Sequence, residues 1–189
     1  MSTGFWGGQG NAIVDPKRSF RWLVVFGTKS KELQEWYARS ANKPSFTVGE
    51  TAHRFINHTF WYPGRVEWNT IDITLVDPSV PNDASQALVK SLQEAGYYLP
   101  TDKASASNTI TKQQAVGAIG NYVLLKQIGK HDGDVLDTWT LVNPWVKDVK
   151  FGDLSYETED MVEITLTLRY DYATLETKGD NVKRPSSKK

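Results

Sequence analysis

The sequence predicts a mainly β protein: two packed antiparallel sheets, sandwich- or barrel-like, with one α-helix at about residues 83–95. Three observations carry this expectation. Several segments alternate apolar and polar residues with a period of two, β-branched and aromatic residues fill them, and turn dipeptides such as Asp132-Gly133 separate them. A chain of 189 residues with 39% apolar side chains can bury the core that such sheets need in one domain.

The elements follow in order. Residues 1–19 hold four of the 14 glycines and show no period of 2 or 3.6, so they read as a flexible Gly-rich arm. Phe20, Trp22, Val24 and Phe26 alternate with Arg21, Leu23 and Val25, the spacing of a strand. Leu33 to Ser40 reads as strand or helical turn, with strand preferred, and Ser45 to Val48 opens another extended piece after Pro44. Thr51 to Tyr62 is a strand expected to end at Pro63-Gly64, and Val66 to Val76 follows with a slip near Asn69-Thr70 that suggests a bulge. Asn82 or Asp83 can cap a helix over Ala84 to Ala95, whose Ala84, Ala87, Leu88, Leu92 and Ala95 form one stripe before Gly96.

Pro100 to Gly120 is too long for an ordinary connection and reads as a surface excursion with a short helical turn around Lys112 to Ala118. Asn121 to Ile128 and Val135 to Val142 form a hairpin across His131-Asp132-Gly133-Asp134. Asn143-Pro144-Trp145 breaks the chain, Val149 to Tyr156 is extended, and Met161 to Tyr172 is the cleanest alternating strand. Residues 176–189 form a basic tail with five cations and two carboxylates, expected to be disordered. The domain is thus expected over residues 20–175.

Composition narrows function. Lys+Arg 22 against Asp+Glu 22 gives no net charge, and without the tail the body stands at 17 cations against 20 carboxylates, a net −3. Such a chain lacks the basic field with which proteins grip nucleic acid. Zero Cys excludes disulfides, thiolate metal sites and cysteine nucleophiles. No apolar run reaches a bilayer's span, and Met1 to Gly10 does not resemble a secretory signal, so a soluble chain made in a cytoplasm is expected. Aromatic residues at 12% favour a protein that binds through its surface.

Local motifs point to no chemistry. His53 and His58, five apart, are expected on opposite faces of one strand, with no third imidazole near in sequence to complete a metal site. Gly7-Gly8-Gln9-Gly10 lacks the Gly-Lys-Ser/Thr of a phosphate loop, and Asp132, Asp134 and Asp137 lack the rest of a calcium loop. Asn57-His58-Thr59 has the form of a glycosylation sequon without a secretory route to use it. Glu157, Glu159, Asp160 and Glu163 read as a solvated acidic cluster, since nothing in the sequence supplies an apolar pocket to split their pKa values. No catalytic, cofactor-binding or metal-ligating residue is therefore assigned, and no cofactor is expected.

An amphipathic β chain must close its sheets or leave edges that pair with another chain. Met161 to Tyr172 and Tyr122 to Leu125 look built for such pairing, being free of blocking Pro or Lys runs. Edge-to-edge union with a fixed rotation closes a ring, and stacked rings make a tube.

The C-terminal third then resembles a known family. Tyr122-Val123-Leu124-Leu125-Lys126, an Asp-Gly turn, Thr138-Trp139-Thr140-Leu141-Val142-Asn143-Pro144-Trp145, Phe151-Gly152-Asp153-Leu154-Ser155-Tyr156 and Glu163 through Tyr172 are similar to the end of tail tube proteins of contractile-tailed, T4-type bacteriophages. Trp68 to Leu75 followed by a helix is similar too, and the resemblance spans roughly residues 20–175. It extends to pyocin and type VI secretion tube proteins. It implies six-membered rings whose sheets merge into one β-barrel, stacked as the inner tube of a virion tail, without membrane insertion. The implied partners are further copies, the tail sheath protein, the tape-measure protein and baseplate or terminator proteins, with DNA passing unbound.

Under that resemblance Thr70, Asp72, Thr74, Glu163, Thr165, Thr167, Arg169 and Asp171 are the candidate lumen or ring-interface positions. Phe46, Phe55, Phe60, Trp61 and Tyr62, on an aromatic hairpin, are the candidates for ring-to-ring stacking, against the alternative that they are core. The competing expectations are a tube-initiating or capping ring, a type VI secretion tube, a carboxylate-dependent hydrolase using residues 157–163, and a monomeric ligand-binding barrel.

Overall fold

The structure, a computed structural model, describes residues 17–27, 38–79, 83–98, 109–129, 134–157 and 159–177. The expected arm up to Pro16, the first part of Leu33 to Ser40, residues 100–108, the turn at 130–133 and the tail from Lys178 lie outside the described residues.

Among the described residues, ten strands and two helices follow one another as β1 (Trp22–Phe26), β2 (Ala38–Ala41), β3 (Phe46–Phe55), β4 (His58–Trp68), β5 (Ile71–Val76), α1 (Ala84–Glu94), α2 (Lys112–Ile119), β6 (Tyr122–Ile128), β7 (Val135–Val142), β8 (Trp145–Lys150), β9 (Glu163–Arg169) and β10 (Tyr172–Thr177). The strands form a sheet in the order β1-β6-β7-β10, a second in the order β2-β5-β9-β8, and the two-stranded ribbon β3-β4. All pairings are antiparallel.

Period-two alternation explains the core. In β5 and β9 every second side chain is apolar, and Ile71, Ile73, Leu75, Ile164, Leu166 and Leu168 are at most 1% exposed. These meet Val24, Phe26, Val123, Leu125, Leu141 and Ala173 of the first sheet, and α1 adds Ala84, Ala87 and Leu88 to the same cluster. Asp83 caps α1, its carboxylate accepting from the Gln86 N–H at 3.0 Å, and Gly96 at φ +107° ends the turn beyond it. Leu92, placed on the buried stripe by the sequence, is 45% exposed.

The single expected helix is joined by a second. The turn foreseen at 112–118 is a full α-helix, capped by Thr111 and burying Ala115, Val116, Ala118 and Ile119. It ends at Gly120, φ +105°, where a Cβ would lie 2.5 Å from the Gly27 Cα. Two glycines thus let α2's end meet the end of β1 backbone to backbone.

Several strand boundaries differ from expectation. The aromatic hairpin turns at Ile56-Asn57 rather than at Pro63-Gly64, with Ile56 at φ +50°. Pro63 and Gly64 lie inside β4, where three residues advance against two of β3, a bulge that accommodates Pro on an outlying strand. Asn69-Thr70 is a break between β4 and β5, not a bulge. Hydrogen bonding still runs across the break: Asn42 N–H donates to the Asp72 carbonyl at 3.0 Å and Asn69 N–H to the Ser45 carbonyl at 2.9 Å. The ribbon is therefore a continuation of the β2-β5 pair. The expected strand over Met161 to Tyr172 is cut at Tyr170-Asp171, because β9 and β10 belong to different sheets. The extension expected over 149–156 falls instead on β8, and the tail boundary shifts, since Glu176 and Thr177 complete β10.

The strands expected to offer bare edges are not edges. Both β6 and β9 are flanked on two sides within the chain, and every second side chain of each is buried. The edges are β1, β10, β2 and β8.

Candidate functional site

The outward side of the β2-β5-β9-β8 sheet gathers six of the eight polar candidates. Cross-strand register sets Asp72 opposite Thr167 and Thr74 opposite Thr165, with Glu163 and Arg169 at the ends of β9. Thr167 Oγ1 donates to Asp72 Oδ1 at 2.6 Å, and Arg39 on β2 pairs with Glu163. Asp148 and Lys150 of β8, opposite Thr167 and Thr165, extend the same face. Sequence reading missed them because a register shift between Val146 and Asp148 breaks the alternation on which it relied. Charge on this face balances, with Arg39, Lys150 and Arg169 against Asp72, Asp148 and Glu163 between threonines.

Two candidates leave the face. Thr70 sits half-buried in the junction between β4 and β5. Asp171 turns with the chain toward α2, where Lys112 Nζ donates to it at 2.7 and 2.9 Å and Asn143 Nδ2 at 2.9 Å. The Lys112 bond first, then that of Asn143, hold its carboxyl below its ordinary value of 3.8. Beside it Tyr170 packs its ring on Trp68, centroids 6.0 Å apart, and burial pushes its phenol above 10.0.

The other sheet's outward side is different in kind. Leu23, Val25, Leu124 and Val142 lie there half-buried, with Tyr122 and Tyr172 more open.

All five aromatic candidates are exposed, so they are not core. Phe46, Phe55, Phe60, Trp61 and Tyr62 range from 46% to 61% exposure. Pairing of Thr51 with Tyr62, His53 with Phe60 and Phe55 with His58 puts Tyr62, Phe60, Phe55 and both histidines on one face near the ribbon's tip. This corrects the expectation for His53 and His58: the turn between them folds both onto one side, where the His58 and Phe60 rings stand 4.7 Å apart. Among the described residues no three metal-ligating side chains cluster.

The acidic cluster splits likewise. Glu163 is on the open sheet face with Arg39, while Glu157, Glu159 and Asp160 are on the exposed segment between β8 and β9.

This architecture is shared. The fold matches that of the tube-terminating cap of an anti-feeding prophage, at 14% identity and a TM-score of 0.64 over 88% of this chain and 95% of that one. A chain of the sheath/tube terminator of an extracellular contractile injection system, PVC, gives 13%, 0.64, 88% and 100%. A chain of the PVC sheath-tube complex gives 13%, 0.60, 86% and 93%. The chain thus has the fold found in tube and tube-terminator assemblies of contractile injection systems. No protein-family model matches it, and no curated sequence is similar to it.

Proposed function

We propose that this chain is a structural subunit, without catalysis, that assembles into stacked six-membered rings forming the inner tube of a contractile phage tail, the conduit for genome delivery. The observation that carries the reading is a charge-balanced, threonine-rich sheet face that ends, among the described residues, in two edge strands, β2 and β8. Because β2 runs antiparallel to β8, the β8 of one copy continues the sheet by pairing with β2 of the next. Closure gives a barrel whose lumen is lined by Asp72, Thr74, Thr165, Thr167 and their neighbours. Such a wall offers phosphates no net positive charge, so DNA passes without being held. The ribbon, with Phe46, Phe55, Phe60, Trp61 and Tyr62, reaches the adjoining ring.

The unit runs from residue 20 to the end of β10 at Thr177, with the 1–19 arm and the tail from residue 178 as appendages. In the virion its partners are the sheath, tape-measure and baseplate or terminator proteins. A second reading, a ring that caps the tube, is favoured by the two terminator folds it resembles. Negative-stain microscopy of concentrated protein tests both. Long tubes are expected, single rings select the cap, and a particle that stays at 21.3 kDa at every concentration refutes ring assembly.

A further inference from the structure

A cleft of about 450 Å³ opens between the two sheets on the side where β1 and β2 are the edges. Trp22, Trp139 and Leu125 form its apolar floor, and Lys17, Arg39 and Lys43 stand around it with Lys126. Among the described residues no carboxylate lines it. Its cations are only partly occupied. The Lys17 and Arg39 side chains, paired with Asp137 and Glu163, keep 51% and 64% of their surface in solvent, and Lys43 donates to the neutral Gln127 amide at 3.0 Å.

On the opposite side, past the end of β8, the segment Phe151–Glu157 carries the converse features. It belongs to no strand or helix, and Leu154 and Tyr156 are 86% and 111% exposed beside Asp153 and Glu157. Glu159 and Asp160 add two more carboxylates further along, both exposed. Nothing in the chain's own core accounts for such open apolar side chains in an acidic stretch.

We infer that the cleft is the seat for this segment of a neighbouring copy, with Leu154 and Tyr156 against the indoles and Asp153 and Glu157 among the cations. The inference deepens the ring reading and rests on it. Antiparallel pairing of β8 with the next copy's β2 brings the Lys150 end of β8 beside the Ala38–Arg39 end of β2. The chain that leaves β8 there passes directly to the strand that forms one lip of the cleft. Charge complementarity and apolar match then reinforce the backbone pairing and fix which edges may meet. The contact is heterologous, so each copy gives one segment and receives one.

The chain has no cysteine, which makes the contact traceable. A full chain carrying both Leu154→Cys and Asn42→Cys, treated with a short bis-maleimide, is expected to yield a ladder of linked oligomers under denaturing conditions. Each single variant is expected to yield none. Separately, Asp153→Lys with Glu157→Lys is expected to raise the concentration needed for assembly at least about tenfold, with an unchanged urea midpoint. Lys43→Glu added to that chain restores part of the loss. Rings that form normally with the double lysine variant, or rings of the cysteine variant that give no ladder, overturn this contact while leaving the ring reading intact. A native chain that never assembles overturns both.

Discussion

Replacing Phe60, Trp61 and Tyr62 together by Ser separates folding from assembly. These side chains are 46%, 61% and 56% exposed and stand outside the core cluster, which the ribbon touches through Trp68 at its root, so the core keeps its contacts. Exposed substitutions of this kind cost the fold within about 0.5 kcal/mol each. Assembly is another matter. An aromatic side chain offers roughly 200 Å², so at these exposures each ring has on the order of 100 Å² left for a neighbour to cover. At about 25 cal/mol per Å², covering half of that across three rings contributes about 4 kcal/mol per contact. The concentration needed for tubes is therefore expected to rise roughly a thousandfold. Sedimentation velocity over a dilution series reads the assembly, and urea unfolding of the same sample reads the fold. A triple variant that builds tubes at the native concentration would refute the role given to the ribbon. One whose urea midpoint collapses would refute the claim that the ribbon is independent of the core.

Two further outcomes test the packing. Gly120→Ala combines a φ of +105° with a Cβ only 2.5 Å from the Gly27 Cα, and is expected to cost about 2–4 kcal/mol by urea unfolding, whereas Gly117→Ala, inside α2 with nothing within 4 Å, is expected to stabilise by about 0.5–1 kcal/mol. Asp171 titrates in the folded state below 3.8, so its stabilising effect is complete above that pH and is lost as pH falls through the lowered value. Unfolding of Asp171→Asn measured across the acid range is expected to show a shallower acid loss than the native chain. A parallel pair of curves would show that the bonds from Lys112 and Asn143 do not hold the carboxylate.

Much of the fold was legible because its determinants are local. The alternation of Ile164, Leu166 and Leu168 with Glu163, Thr165, Thr167 and Arg169 needs only a period of two, and both the strand and the polar set it exposes follow. Asp83 and Gly96 likewise mark the limits of α1 by their own chemistry. What escaped depends on partners distant in sequence. Which strands are edges is decided by pairing order, so β6 and β9 read as bare when they are interior. The place of the hairpin turn depended on Ile56 accepting a left-handed backbone that Gly64 would have taken more readily, while Gly64 serves a bulge instead. Asp148, Lys150 and the shared face of His53 and His58 follow from a register shift and that same turn, and neither has a signature in residue type.

The hydrogen bonds that stand on either side of the break between β5 and the ribbon have a mechanical side. A projection whose two strands run on from β2 and β5 is tied at its root by the Asn42 and Asn69 N–H bonds, so a push at Phe55 or His58 passes along the backbone toward Ile73 and Leu75, among the most enclosed side chains of the molecule. Load is thereby delivered to the stiffest place available, and the projection behaves as a strut rather than a tether.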